Sequence, residues 1–262
     1  MDRESLAISW LKRNIGTPLV CGSFARNVAV LAGGTALGQA ISVLASPILT
    51  RLYTPDDFGV LAVYSSILGI LSVVASWRYE LAIPLPDKDE DAVNLVALSL
   101  GIVVLMSFLV ALGVWLLRNQ IVRWVNVPAL QRYLWLLPVG VLLVGAYQVF
   151  NYWAIRKKAF GALAQTKLRQ GIGATATQIS LGLVRPSPLG LLLGQVVGQA
   201  GGLLMLLGNF WKHAKDLWKF VDAKESVKLL SRYVRFPIFA SWVGVFNTLS
   251  VQVPILMLSS LF

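Results

Sequence analysis

Long stretches without an ionisable side chain alternate with short polar knots along this chain. Residues 27–50, 58–77, 92–117, 133–155, 170–184, 186–211 and 236–262 contain no Asp, Glu, Lys or Arg. A helix rising about 1.5 Å per residue needs ~20 residues to cross a hydrocarbon core about 30 Å thick. Six of the seven intervals reach that length, and the fifth, 170–184, is marginal by itself. Barrel strands would show segments of about ten residues with alternating polarity, and none is present. The pattern predicts an all-α, polytopic membrane protein with seven transmembrane helices.

The knots carry their own signals. In "TRLYTPDDFG", Thr54, Pro55 and Asp57 stand where an N-cap, an N1 proline and an N3 acid belong, so a capped helix is expected to start there. Arg51 then closes the preceding helix at its carbonyl end. Small residues recur one turn apart: Gly34, Gly38, Ser42 and Ser46 in the first span, and Gly190, Gly194, Gly198 and Gly202 in the sixth. In lipid such faces let two backbones approach closely. The fifth span, "QGIGATATQISLGLV", is polar and is expected to be shielded by neighbours or to face a wet cavity.

Residues 212–235 place Leu217, Val221, Val227, Leu230 and Val234 at helix-like spacing among seven basic residues. That predicts an amphipathic surface helix, serving either as a linker between two rocking halves or as a solvated basic loop. Aligning Pro47 with Pro254 matches "SPILTRL" to "VPILMLS", as a parallel repeat of six-helix units would. The expected organisation is a cytoplasmic N-terminal segment (1–25), a six-helix bundle (26–211), a linker (212–235) and the first helix of a second, truncated bundle (236–262).

Composition agrees: of 262 residues 56% are hydrophobic and 13% charged, and the mean hydropathy is +0.70, whereas soluble domains carry about a quarter charged residues. The net charge of +11 invites a nucleic-acid reading, so its placement decides. Eighteen of the 23 basic residues fall on the side of the N-terminus, leaving only Arg51, Arg118, Arg123, Arg132 and Arg185 on the other. This is the positive-inside pattern; it predicts a cytoplasmic N-terminus and no nucleic-acid partner. The first 25 residues lack a signal peptide's pattern, so the first helix is expected to serve as an uncleaved insertion signal. One cysteine and one histidine allow no disulfide framework, thiolate metal site or Cys/His pair. Without a catalytic nucleophile, phosphate loop or metal cluster, neither an enzyme nor a cofactor is expected.

The candidate site lies in "SWRYELAIPLP". Arg78 and Glu80 precede four apolar residues, so the second helix is expected to run past them until Pro84 and Pro86 end it. Two apart on a helix, they would project about 200° from each other and could not pair. An Arg inside a bilayer costs at least ~2.5 kcal/mol unless it meets water or an anion. Arg78 therefore either binds an anionic headgroup in a central cavity or snorkels to the interface. Gln39 and Gln178 stand alone, Gln148 and Asn151 share a face of the fourth helix, and Gln195 and Gln199 flank the glycine face; each is a candidate for substrate contact or for interhelical hydrogen bonding. Tyr147, Tyr152, Trp153, Trp115 and Trp124 read as interfacial anchors, and "PDKDEDA" as a solvated turn.

The stretches "FARNVAVLAGGTALGQAISVLASPILTRLYTPDDFG" and "WRYELAIPLPDKDEDAVNL" resemble the N-terminal half of polysaccharide transporter family flippases, the exporters of O-antigen and capsule units. The resemblance runs over about residues 24–262 and is strongest at Pro47–Gly59 and Arg78–Pro86. It implies two six-helix bundles facing each other across a central cavity. It also implies alternating-access transfer of an undecaprenyl-pyrophosphate-linked oligosaccharide from the cytoplasmic to the periplasmic leaflet. Arg78, Glu80, Gln39, Gln148 and Asn151 are then the substrate-binding candidates. Membrane lipid is a further partner, and a second copy of the chain or a missing second bundle would complete the fold. Two alternatives stay open: an ion-coupled multidrug antiporter of the same fold, and a structural membrane subunit that does not transport.

Overall fold

The computed structural model describes the backbone of residues 18–125 and 127–261, and side chains for these except 18–25, 125, 223, 224, 256 and 258–261. The expected N-terminal segment 1–25 thus falls outside the described side chains. Among the described residues the fold is helical, without strands. The membrane-scale helices are α1 (Pro18–Leu52), α2 (Pro55–Val74), α3 (Asp89–Val125), α4 (Leu136–Arg156), α5 (Phe160–Val184) and α6 (Pro188–Ala214). A short α7 (Ala223–Arg232) and a π-turn over Phe236–Ala240 lead into α8 (Ser241–Leu261).

Six of these helices, α5 and α7 excepted, are long and apolar enough to cross a membrane. Helix α5 supplies the expected seventh element and corrects its extent. It has 25 residues, beginning ten before the uncharged interval, and so takes in Lys167 and Arg169. It is long enough to span but is more polar than the six, and it packs along α1 on one side and α6 on the other.

The small-residue faces make that packing possible. A methyl group added at Gly34 would lie 2.5 Å from Ala164 Cβ, and one at Gly198 would lie 2.8 Å from the Gln170 carbonyl oxygen. Added at Gly38 it would come within 2.6 Å of the Lys167 carbonyl oxygen. With no hydrophobic effect to press helices together in lipid, this proximity is what carries the α1–α5–α6 layer. Interhelical amides reinforce the layer, Gln170 Nε2 donating to Gln199 Oε1 and Gln178 Nε2 to the Leu191 carbonyl, both at 3.2 Å, and Ser65 Oγ ties α2 to it by donating to Gln195 Oε1 at 3.1 Å.

The α1–α2 knot forms the expected capping box: Asp57 N–H donates to Thr54 Oγ1 at 3.3 Å, and Thr54 N–H to Asp57 Oδ2 at 2.9 Å. Arg51 lies in the last turn of α1. Pro47 and Pro254 both lie inside helices.

Three aromatic assignments change. Trp153 and Tyr147 are buried, Trp153 wedged edge-on against Phe210 of α6 at 5.2 Å, and Tyr147 under the Lys167 ammonium at 5.1 Å; Tyr152 is half-buried. They are core residues because α4 sits between α3 and α6 and presents little face to lipid. Trp115 and Trp124 do stand exposed, as anchors would.

The basic segment after α6 is not one continuous amphipathic helix. It breaks into a 3-10 turn, Leu217–Phe220, and α7, because Asn94 of α3 captures the intervening backbone. Asn94 Nδ2 donates to the Phe220 carbonyl at 3.1 Å, and its Oδ1 accepts from Asp222 N–H at 2.9 Å. The break shifts the register, so the buried side chain of α7 is Leu229, while Val227 of the expected face is exposed.

Candidate functional site

The second helix ends earlier than its apolar run suggests. Helix α2 stops at Val74, and the chain continues through successive i→i+3 hydrogen bonds into a 3-10 turn over Tyr79–Ala82. Trp77 and Arg78 take left-handed conformations, φ 51° and 61°. For residues with a side chain that costs roughly 1–2 kcal/mol each, a strain that persists only when surrounding contacts impose it.

The turn overturns the expectation that Arg78 and Glu80 face apart. Off the helix they converge, Arg78 Nη1 lying 3.8 Å from Glu80 Oε1. Glu80 is fully buried and accepts a short hydrogen bond from the Ser76 hydroxyl on its other oxygen. Lying outside the spanning helices, its carboxyl is pushed above the ordinary 4.5 by burial, against the pull of the Ser76 hydrogen bond, its own backbone and the Arg78 charge. Arg78 Nε and Glu80 Oε1 have no hydrogen-bond partner.

Surrounding contacts fix the turn from three sides. Tyr79 is buried and its hydroxyl donates to the Leu230 carbonyl of α7 at 3.2 Å. The Arg78 guanidinium lies against α8, where a methyl group added at Gly244 would strike Nη2. Downstream, Arg156 at the end of α4 gathers the backbone of residues 83–87: Nη1 donates to the Pro86 carbonyl at 2.5 Å and reaches those of Ile83 and Pro84 at 3.4 Å. Nε and Nη2 hold Asp89 Oδ1 at 3.1 and 2.9 Å, and Lys157 Nζ takes Asp89 Oδ2 at 2.5 Å. Asp89 is therefore an anchoring group and not merely part of a solvated turn. The sequence signal for this clamp was available in the basic "RKK" facing an acidic "DKDED", but which residues pair is set by the packing of α4 on α3.

A groove of about 630 Å³ opens beside the turn. Trp77 and Tyr79, the neighbours of Arg78, line it, as do Ser241 and Val245 on either side of Gly244. Met106 of α3, Leu230 and Val234 complete a wall that is otherwise apolar. The Ser241 hydroxyl is buried without a partner. An apolar furrow whose lining residues flank the cation-bearing position of the turn suits an amphiphile with an anionic head.

The remaining candidates are dispersed. Gln148 Oε1 is buried without a partner. It lies one helical turn from Tyr152, which is half-buried. Asn151, three residues further on the same helix, is half-buried. Gln39 is exposed on α1 and lines a different cleft, about 450 Å³, with Thr35, Ser42, Lys167 and Gln170. Sequence reasoning missed Lys167 by assigning it to a loop; inside α5 it is the cation of that cleft.

A family model described as polysaccharide biosynthesis protein matches residues 48–262, which includes the capping box, the strained turn, the Arg156 clamp and the groove. Comparison with curated proteins returns no match, and neither does comparison with solved structures.

Proposed function

The chain belongs to the polysaccharide biosynthesis protein family, and on that premise we propose that it is a flippase for a lipid-linked oligosaccharide, with Arg78 receiving the pyrophosphate of an undecaprenyl carrier. The observation that carries the reading is an apolar groove lined by Trp77 and Tyr79 on either side of Arg78, whose guanidinium packs on α8 at Gly244. A guanidinium presents a planar fork to phosphate oxygens, and the groove offers the prenyl chain a wall of side chains. Arg78 Nη1 stands 3.8 Å from Glu80 Oε1 and Arg78 Nε has no hydrogen-bond partner, so the guanidinium keeps donors for an anion. In this reading the lysine- and arginine-rich end faces the cytoplasm of the inner membrane, so the site loads from the cytoplasmic leaflet. Helix α8, against which Arg78 rests, begins the second unit, so loading the site bears on the junction between two moving halves.

A second reading, an ion-coupled antiporter of the same fold, is favoured by one observation, the complete burial of the Glu80 carboxyl. The test is expression in a cell lacking its own exporter, with surface polysaccharide as readout. Restoration by the native chain and by Glu80→Gln but not by Arg78→Ala is expected. Restoration by Arg78→Ala as well would remove Arg78 from the mechanism, and loss with Glu80→Gln would favour the antiporter.

A further inference from the structure

A cavity of about 660 Å³ lies at the end of the bundle opposite the strained turn, and the transport reading makes no use of it. Arg118 near the end of α3 and Arg132 closing the 3-10 turn Pro128–Arg132 both line it, together with Gln131, Tyr133 and Pro188. Pro188 is the first residue of the 27-residue helix α6, whose N-terminal amides add partial positive charge. A second cavity of about 540 Å³ shares Arg118, Gln131 and Arg132, and its remaining wall includes Val114, Trp115, Leu134, Trp135 and Pro138. No carboxylate lines either cavity, and among the described residues neither arginine has an acidic partner.

These arginines are few at an end where the distribution of charge disfavours cations, so their convergence asks for a cause. Depth supplies one. Arg118 lies 29 residues beyond Asp89, about 44 Å along a helix, while the hydrocarbon core is about 30 Å thick. It stands at headgroup level, beside Trp115 and Trp135, which are 74% and 58% exposed as interfacial tryptophans are. The framework is preformed: Leu130 of the turn is fully buried, and Gln131 Nε2 donates to Asn119 Oδ1 of α3 at 2.9 Å.

We propose that the Arg118–Arg132 cleft is a binding site for the phosphate headgroup of an anionic phospholipid in the leaflet at that end, its acyl chains lying along the wall formed by Trp115, Leu134, Trp135 and Pro138. The two guanidinium groups take the phosphate oxygens, and the shared boundary between the polar and apolar cavities sets the headgroup–chain junction. The proposal is independent of the site at Arg78.

Native mass spectrometry of the purified chain with phosphatidylglycerol or phosphatidylcholine tests it. The native protein is expected to retain one more tightly bound phosphatidylglycerol than R118Q/R132Q, with equal phosphatidylcholine adducts. Each single variant should weaken that equivalent by about tenfold, and R118K/R132K should recover part of it. Both arginines are exposed, so an unchanged melting midpoint is expected and controls for folding. Equal phosphatidylglycerol retention by native protein and double variant would overturn the proposal. So would displacement of the extra equivalent by inorganic phosphate at about 50 mM but not by a monovalent salt of the same ionic strength, which would mark a site for a free anion instead.

Discussion

Arg156→Met tests whether the strained turn is held in place from α4. The guanidinium is 10% exposed and makes its firmest bonds to the Pro86 carbonyl at 2.5 Å and to Asp89 at 2.9 Å. A hydrogen bond from a charged group to a buried acceptor contributes about 1.5–3 kcal/mol net. The Asp89 share must be discounted, because that carboxylate is 40% exposed and keeps Lys157 at 2.5 Å; a surface-pair figure of about 0–1 kcal/mol is appropriate. The expected loss is therefore about 2–4 kcal/mol, concentrated in residues 83–87. Lys157→Met, removing only the more exposed partner, should lose about 1 kcal/mol or less. Thermal unfolding of the purified protein measures the total. Thiol labelling at Ile83→Cys, a position fully buried in the native turn, in a background where Cys21 is replaced by Ser, measures the local opening. If Arg156→Met and Lys157→Met melt alike and label alike, the clamp does not hold the turn.

Gly198→Ala drives a methyl group to 2.8 Å from the Gln170 carbonyl oxygen and should destabilise by about 1–3 kcal/mol, whereas Gly201→Ala, with nothing within 4 Å, should be neutral in the same melting assay. Gly244→Ala meets the movable end of Arg78 and Val73 Cγ1 at 2.9 Å, so stability should fall by about 1 kcal/mol while affinity for a prenyl pyrophosphate falls about tenfold. Glu80 has a folded-state pKa raised above its unfolded value by burial, so its contribution to stability is present below the unfolded value near 4.5 and is lost as pH rises through the folded one. The melting midpoint of Glu80→Gln relative to native should therefore rise with pH above about 4.5, and a pH-independent difference would show that Glu80 does not titrate abnormally.

The helices were legible because bilayer thickness and charge-free length are one-dimensional quantities. The α1–α2 cap was legible because Thr54 and Asp57 act within one turn, and the glycine faces because their spacing is itself the packing surface. The site was less so. Apolar Leu81, Ala82 and Ile83 extend the pattern of α2, yet the left-handed Trp77 and Arg78 depend on contacts with Tyr79–Leu230, Gly244 and Arg156 that come from distant segments. For the same reason the Arg78–Glu80 proximity was invisible to helix geometry. Lys167 was hidden by the rule that charges bound a span, which fails for α5 because α1 and α6 flank it and the helix starts ten residues before the charge-free run. Asn94, an ordinary polar residue in sequence, breaks the basic segment into two pieces only because α3 brings it there.

The central claim is that Arg78 receives a lipid-borne pyrophosphate. Binding of undecaprenyl pyrophosphate and of uncharged undecaprenol to the purified chain tests it most directly. Arg78→Gln should weaken the pyrophosphate by about 10- to 100-fold, the loss of one or two charge-assisted hydrogen bonds, and leave undecaprenol unaffected. Equal pyrophosphate affinity in the native chain and Arg78→Gln would contradict the account.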